Sequence, residues 1–369
     1  MKIIVATRDL DFGVGNQVRY LLSMLDEDEF VKKVFVIAPR KLEGYSNKII
    51  FEIVENKGKF FVTKVPYFAY KCNSIIKRTL KSEHYDLIHT HYPIKFYGIN
   101  IPIVFTVHSS HLEMSMKKTK SYIYNLANVF HRLFIGYEED LMDSSRKVIF
   151  VNQNLMKKII LNNQNLQTKS IYLPNMVDTK KFKILKKDEK IIIKKSLGFK
   201  ENDKIILYVG RLDPFKGSLV LANTIKKINN PQLKLMVIGD GHLIKKIIQF
   251  PFVRYQGIIS NEELYKYYNI ADLFVLPSYY ETFGLVAIES ILCGCNFLLR
   301  ENFLPLEIEE KNLFISDENL ENSINKTIKI NPPKNKELIK QIKKEFDAPL
   351  VYSKIRKVYE EIKNAGNQD

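Results

Sequence analysis

The sequence predicts an α/β protein made of two doubly wound units in tandem, and three observations carry that prediction. Short apolar runs bounded by turn residues recur along the chain, with longer helical patterns between them. The runs are apolar continuously rather than alternately, as strands of parallel sheets buried on both faces are. At 369 residues the chain is also too long for one ordinary core and suits two domains of roughly 150 to 200 residues each.

In the first half the runs are Ile3 to Ala6, Lys33 to Ile37, Leu87 to His89, Ile103 to Val107 and Lys147 to Val151. In the second they are Ile205 to Val209, Leu233 to Ile238, Val253 to Tyr255 and Leu273 to Leu276. Strand and helix alternating in this way make Rossmann-like units. The boundary is expected in YLPNMVDTKKF (172–182), where Pro174 and Asn175 interrupt the pattern ahead of a Lys-rich stretch. A second composition break, NPPKN at 331–335, precedes a last segment ending in VYSKIRKVYEEIKN. Its apolar residues recur at helical spacing and need a surface to pack on.

Composition narrows the functional classes. A hydrophobic fraction of 46% with 27% charged residues is that of a globular protein and excludes disorder on a large scale. The formal charge of +16, from 57 Lys+Arg against 41 Asp+Glu, suits phosphorylated ligands, polyanions or an anionic membrane surface. A Lys-, Ile- and Asn-rich usage accounts for part of that excess without any function. Cys72, Cys293 and Cys295 supply neither a disulfide framework nor a four-ligand metal set. The opening MKIIVATRDLDFG runs directly into a strand pattern, and no stretch reaches the roughly 18 apolar residues of a membrane span. A cytoplasmic protein is expected, soluble or peripheral on the inner membrane face.

Glycine placement points to the chemistry. Of 15 glycines, seven fall between 210 and 294: Gly210, Gly217, Gly239, Gly241, Gly257, Gly284 and Gly294. Any one of them suits a simple turn, but together, after strands, they suit a loop approached closely by phosphate. In ILYVGRLDPFKGSLVLANTI, Arg211 follows a strand directly and Lys216 comes five residues later, before a helix. Two cations at the carboxyl end of a strand fit a diphosphate, because open α/β sheets bind ligands at that edge. In ADLFVLPSYYETFGLVAIESILCG the segment Leu285 to Cys293 is apolar nearly all round yet contains Glu289. A buried carboxylate needs a partner. Glu281 sits in the loop leading into that helix, whose first amides, those of Thr282, Phe283, Gly284 and Leu285, would face an anion. Taken singly, Glu281 suits the acidic start of a helix, and Glu289 an internal salt bridge.

VGRLDPFKG, IGDGHL and YQGIISNEELYKYYNIADLFVLPSYYETFGLVAIESILCG together resemble the donor-binding half of the family 4 retaining glycosyltransferases of GT-B fold. PSYYETFGLVAIES resembles that family's E-x7-E signature, and LPNMVD its interdomain linker, with Met176 where glycine is usual and Thr282 where glycine is common. The first half matches more loosely. HYDLIHTHYP and PIVFTVHSSH resemble the family's pair of strands ending in histidines, and DFGVGNQVRYLLSML its first glycine loop and helix, which brings Gly15 to the ligand.

The resemblance implies two Rossmann-like domains facing a central cleft: an acceptor-binding domain over 1–175, rejoined by a C-terminal helix (350–369), and a donor-binding domain over 176–349. It implies that Arg211 and Lys216, next to Gly210, bind the diphosphate of a UDP-, GDP- or ADP-sugar and neutralise the charge of the leaving group. Glu281 would contact the transferred sugar, Glu289 the ribose, and the Phe283 and Gly284 amides the phosphates. Gln256 and Ile258 would lie near the nucleobase, while Ser260 and Glu263 form a capping box. His108 would stand by the sugar through its imidazole or backbone. The implied reaction retains anomeric configuration and needs neither protein nucleophile nor metal. His89, His91 and His111 are read as satisfied polar residues at strand ends rather than as metal ligands.

Two other classes compete. A sugar-nucleotide epimerase or glycoside phosphorylase would share the fold, and a basic nucleic-acid-binding protein would use runs such as IIKRTLK (75–81) and KIIIKKSLGFK (190–200). No recognition motif accompanies those runs, so nucleic acid is disfavoured. The stretch MKKTKSYIYNLANVFHRLF (116–134) mixes cations with large apolar residues. It suits either a helix packed on its domain or a peripheral membrane contact near a lipid-linked acceptor.

Overall fold

The computed structural model describes residues 1–10, 12–55, 61–116, 122–300, 315, 318–330 and 336–366. The composition break at 331–335 and residues 117–121 of the basic stretch lie outside them. Unit 1 consists of Met1–Met176 with Ala348–Asp369, and unit 2 of Val177–Asp347. These boundaries fall within two residues of the expected ones. Val177 donates its N–H to Phe346 O at 2.9 Å and bridges Asp347, which ties the two crossings of the chain together inside unit 2.

Unit 1 has seven parallel strands: β1 (Lys2–Ala6), β2 (Lys33–Ala38), β3 (Ile49–Ile53), β4 (Leu87–Thr90), β5 (Ile103–Val107), β6 (Lys147–Phe150) and β7 (Ser170–Tyr172). Their order in the sheet is β3-β2-β1-β4-β5-β6-β7. Unit 2 has β8 (Lys204–Val209), β9 (Leu233–Ile238), β10 (Val253–Tyr255), β11 (Leu273–Leu276) and β12 (Asn296–Leu299), in the order β10-β9-β8-β11-β12. The central strands are buried at nearly every residue, as their Val, Ile and Leu content requires on a sheet covered on both faces.

Strand order reverses between β1 and β4 in unit 1 and between β8 and β11 in unit 2. Chains leaving those two pairs at their carboxyl ends turn to opposite faces and open a crevice, the usual ligand position in such sheets.

Three strands were absent from the sequence reading, β3, β7 and β12, and all three are sheet edges. Two of them lack the continuous apolar run that marks a central strand: β3 exposes Ile50 and Ile53, and every residue of β7 is half-buried. β12 is buried throughout but has four residues and begins two positions after the helix-ending Gly294.

The tail finds its surface in unit 1. The helix Ala348–Ala365 buries Val351, Tyr352, Ile355, Val358, Tyr359 and Ile362 against β1, β2 and the helix Phe12–Glu27. Tyr352 OH and Arg356 Nε both donate to Asp28 Oδ2, at 2.7 and 2.9 Å.

Candidate active site

Unit 2 builds its switch point from two loops that lock together. After β8, Tyr208 OH donates to Arg211 O at 2.7 Å and folds the chain back at Gly210. Asp213, in extended conformation, caps the next turn by accepting the Lys216 N–H at Oδ1 (3.1 Å), with Pro214 at the first helical position. Gly217 then takes φ +69°, and a Cβ there would lie 2.4 Å from Pro277 O in the loop after β11. Only glycine fits that approach. Tyr279 N–H donates to Phe215 O at 2.7 Å, a second tie between the loops.

Those ties bring the expected residues together. Lys216 Nζ donates to Glu281 Oε1 at 2.5 Å and to Tyr280 O at 3.3 Å. Both side chains are mostly buried, 17% and 15% exposed, so the pair is weakly screened. The Arg211 guanidinium is 3.3 Å from Asp213 Oδ2 and 57% exposed, so it can turn to a ligand. Past Glu281 the chain passes through Thr282 and the buried Phe283, which packs edge-on against Phe346, to Gly284 at φ +69°. Gly284 caps the helix Leu285–Leu292 with no side chain, leaving its first amides for an anion. Gln256 and the exposed Ile258 follow β10 on the same carboxyl edge, around Gly257 at φ +72°.

Glu289 has the partners its burial demands. Its Oε2 accepts from Tyr268 OH at 2.8 Å and its Oε1 from Asn261 Nδ2 at 3.2 Å. Lys181 Nζ donates to Asn261 Oδ1 at 2.6 Å, placing a cation one residue behind the carboxylate. Burial pushes the Glu289 carboxyl up to about 7, with Tyr268, Asn261 and Lys181 pulling the other way. Sequence reasoning asked for this partner without naming it. Tyr268 and Asn261 lie 21 and 28 residues from Glu289, too far apart for any local pattern.

Two expectations fail. Thr282 and Phe283 precede the helix Leu285–Leu292, whose first amide is that of Leu285, instead of supplying its first amides. Ser260 and Glu263 do not form a capping box: the helix Leu264–Ile270 starts beyond Glu263, whose side chain pairs with Lys266, and Ser260 contributes its backbone carbonyl.

Unit 1 presents imidazoles at its carboxyl edge. His91 follows β4 and His108 follows β5, with His91 Nδ1 and His108 Nε2 3.0 Å apart. His89 meets Tyr359 OH at Nδ1 (2.5 Å) and Thr106 Oγ1 at Nε2 (2.7 Å), and its ring centroid lies 4.4 Å from that of His91. Burial holds His108 down to about 4 and His89 to about 3, so both are neutral at physiological pH. His111 pairs with His131 at 2.9 Å. Gly15 lies in the first helix, where a Cβ would fall 2.1 Å from Leu10 C, so close backbone approach explains it. Among the described residues no three His, Cys, Asp or Glu side chains group as a metal site, and no helix is long and apolar enough to cross a membrane.

Comparison with known proteins bears on both units. A family model described as "Glycosyltransferase Family 4" matches residues 13–181, and one described as "Glycosyl transferases group 1" matches 189–345. An uncharacterized glycosyltransferase of Methanocaldococcus jannaschii is 27% identical over 387 residues, covering 95% of each chain. A second from that organism is 34% identical over 115 residues, 29% of this chain and 30% of its own. Among solved structures, a sucrose-phosphate synthase of Thermosynechococcus elongatus matches with TM-score 0.80 at 19% identity, over 99% of this chain and 100% of its own. The Anabaena protein HepE in complex with UDP-glucose matches with TM-score 0.74 at 16% identity, over 98% and 100%. With one model on each half and fold likeness along nearly the whole length, the chain belongs to the family 4 glycosyltransferases and has the GT-B fold.

Proposed function

We propose that this glycosyltransferase moves a hexose-type sugar from a nucleotide-diphosphate sugar to a glycan, lipid-linked or small-molecule acceptor, with retention of anomeric configuration and without a metal. The observation that carries the reading is the Lys216–Glu281 pair beside Arg211, at the switch point of unit 2 and next to the uncapped helix start at Leu285. Lys216 and Arg211 bind the diphosphate there and stabilise the charge that grows on it as the bond to the sugar breaks. Glu281, already held by Lys216, is oriented to accept hydrogen bonds from the transferred sugar's hydroxyls.

Glu289 serves the ribose. Its bond to Asn261 is the longer of its two, and a ribose hydroxyl can replace that amide while Tyr268 keeps its place. Gln256 and Ile258 border the nucleobase. In transfer with retention, the bond from the anomeric carbon to the phosphate oxygen breaks as the acceptor oxygen bonds on the same face. The acceptor's proton passes to the departing phosphate oxygen, so no side chain is asked to be nucleophile or base. The UDP-glucose complex of HepE supports a UDP-sugar as the first donor to try.

A thermal-shift screen with UDP, GDP and ADP and their sugars tests the reading, because a ligand of the folded state raises the midpoint by mass action. At least one nucleotide family is expected to raise it. Silence from all three overturns the donor assignment, and a β-configured product from an α-linked donor, seen by proton NMR, overturns retention.

A further inference from the structure

His91 and His108 share a line on which there is room for one hydrogen. Their nitrogens are 3.0 Å apart and the rings lie edge to edge and nearly coplanar, with centroids 5.3 Å apart and planes at 22°. Two neutral imidazoles so placed must be donor and acceptor. If His108 were the donor, the hydrogen of His91 would sit on its own Nε2, a buried atom with no hydrogen-bond partner. Orphaned N–H groups are rarer in native interiors than under-satisfied acceptors. The hydrogen therefore belongs to His91 Nδ1, which donates to His108 Nε2, and the hydrogen of His108 sits on Nδ1.

The His91 ring is not free to turn. His89 covers it, and His89 is itself gripped at both nitrogens by Thr106 and by Tyr359 of the C-terminal helix.

We propose that His91 is a positioning residue that fixes the orientation and tautomer of His108, leaving His108 with an Nδ1–H to offer and no basic nitrogen. His108 then acts as a hydrogen-bond donor or through its backbone carbonyl, which fits a reaction whose proton goes to the leaving phosphate. The inference rests on the reading of His108 as a catalytic residue.

Imidazole nitrogen NMR on the full chain labelled with ¹⁵N-histidine tests it. At neutral pH the parent is expected to show His108 as the Nδ1–H tautomer. His91→Asn, whose amide stands where Nδ1 was, should keep that tautomer, and His91→Phe should shift His108 toward Nε2–H. An Nε2–H tautomer in the parent overturns the proposal, as does a His108 signal indifferent to His91→Phe. Should His91→Phe fail to fold, the parent spectrum alone decides. The reading of His108 fails separately, if His108→Ala releases sugar from its donor at the parent's rate, whereas the tautomer needs no turnover.

Discussion

The two units share a parallel sheet with a reversal in strand order, yet they furnish their carboxyl edges differently. Unit 2 places two cations there, each against a carboxylate: Lys216 with Glu281 and Arg211 with Asp213. Unit 1 places three imidazoles there, His89, His91 and His108, and burial keeps them uncharged. An edge with held cations suits a dianionic leaving group, and one where His108 stays neutral, backed by the buried His91 and His89, suits hydroxyls. On the proposed function, the same architecture separates charge stabilisation from hydroxyl recognition by the residues at its carboxyl edges.

Removing the cation should have the largest effect. Lys216→Ala deletes the proposed diphosphate contact and leaves the mostly buried Glu281 carboxylate without its cation. Donor turnover is expected to fall by about 10²- to 10³-fold, as when one transition-state donor is lost elsewhere. The UDP-dependent thermal shift should shrink with it, while His89→Phe in unit 1 leaves that shift intact. Equal losses in both variants would erase the contrast between the units.

The next effect sharpens the comparison through two buried carboxylates. Glu138 in unit 1 accepts from Ser110 Oγ and the His111 amide, but burial pushes it up to about 8, and Glu139 and Glu113 push the same way. Glu289 in unit 2 has Lys181 behind it and reaches about 7. A carboxyl whose pKa is raised by folding holds its proton more tightly when folded. Its contribution is therefore fully present below the ordinary carboxylate range and is lost as pH rises through the folded value. Between pH 5 and 8.5 the parent should lose stability, and Glu138→Gln should lose less, by about 3 kcal/mol at the alkaline end. Chemical denaturation at the two pH values measures this, and parallel curves would show that Glu138 is ionised throughout.

The smallest effect concerns backbone. Gly217→Ala places a methyl group 2.4 Å from Pro277 O at a positive φ, and should lower stability by about 2 kcal/mol. Gly13 in unit 1 has open space where its Cβ would go, so Gly13→Ala is the matching control, expected to change little by the same melt.

Central strands, the boundary at Asn175 and the loop cations were legible in the sequence because each leaves a local mark. A central strand must be apolar on both faces, a strand-ending Gly-Arg is adjacent in the chain, and proline breaks a pattern where it stands. Of the four edge strands only β10 left such a mark; β3 and β7 are partly exposed and lack the continuous apolar run, and β12 is only four residues long. No such mark came from the partners of Glu289, which the fold delivers from a different loop and helix. The family signature supplied roles for Glu281 and Glu289, but only the structure shows that Lys216 already holds the first and Tyr268 the second.

Gly217 has a consequence for anyone redesigning donor preference. Its missing side chain, the Pro277 carbonyl pressed against it and the Tyr279–Phe215 bond make the loops after β8 and β11 complementary halves of one moulding. Grafting either loop alone from a relative pairs a foreign surface with a native one. Recombination libraries should exchange residues 210–217 and 277–284 as a single cassette.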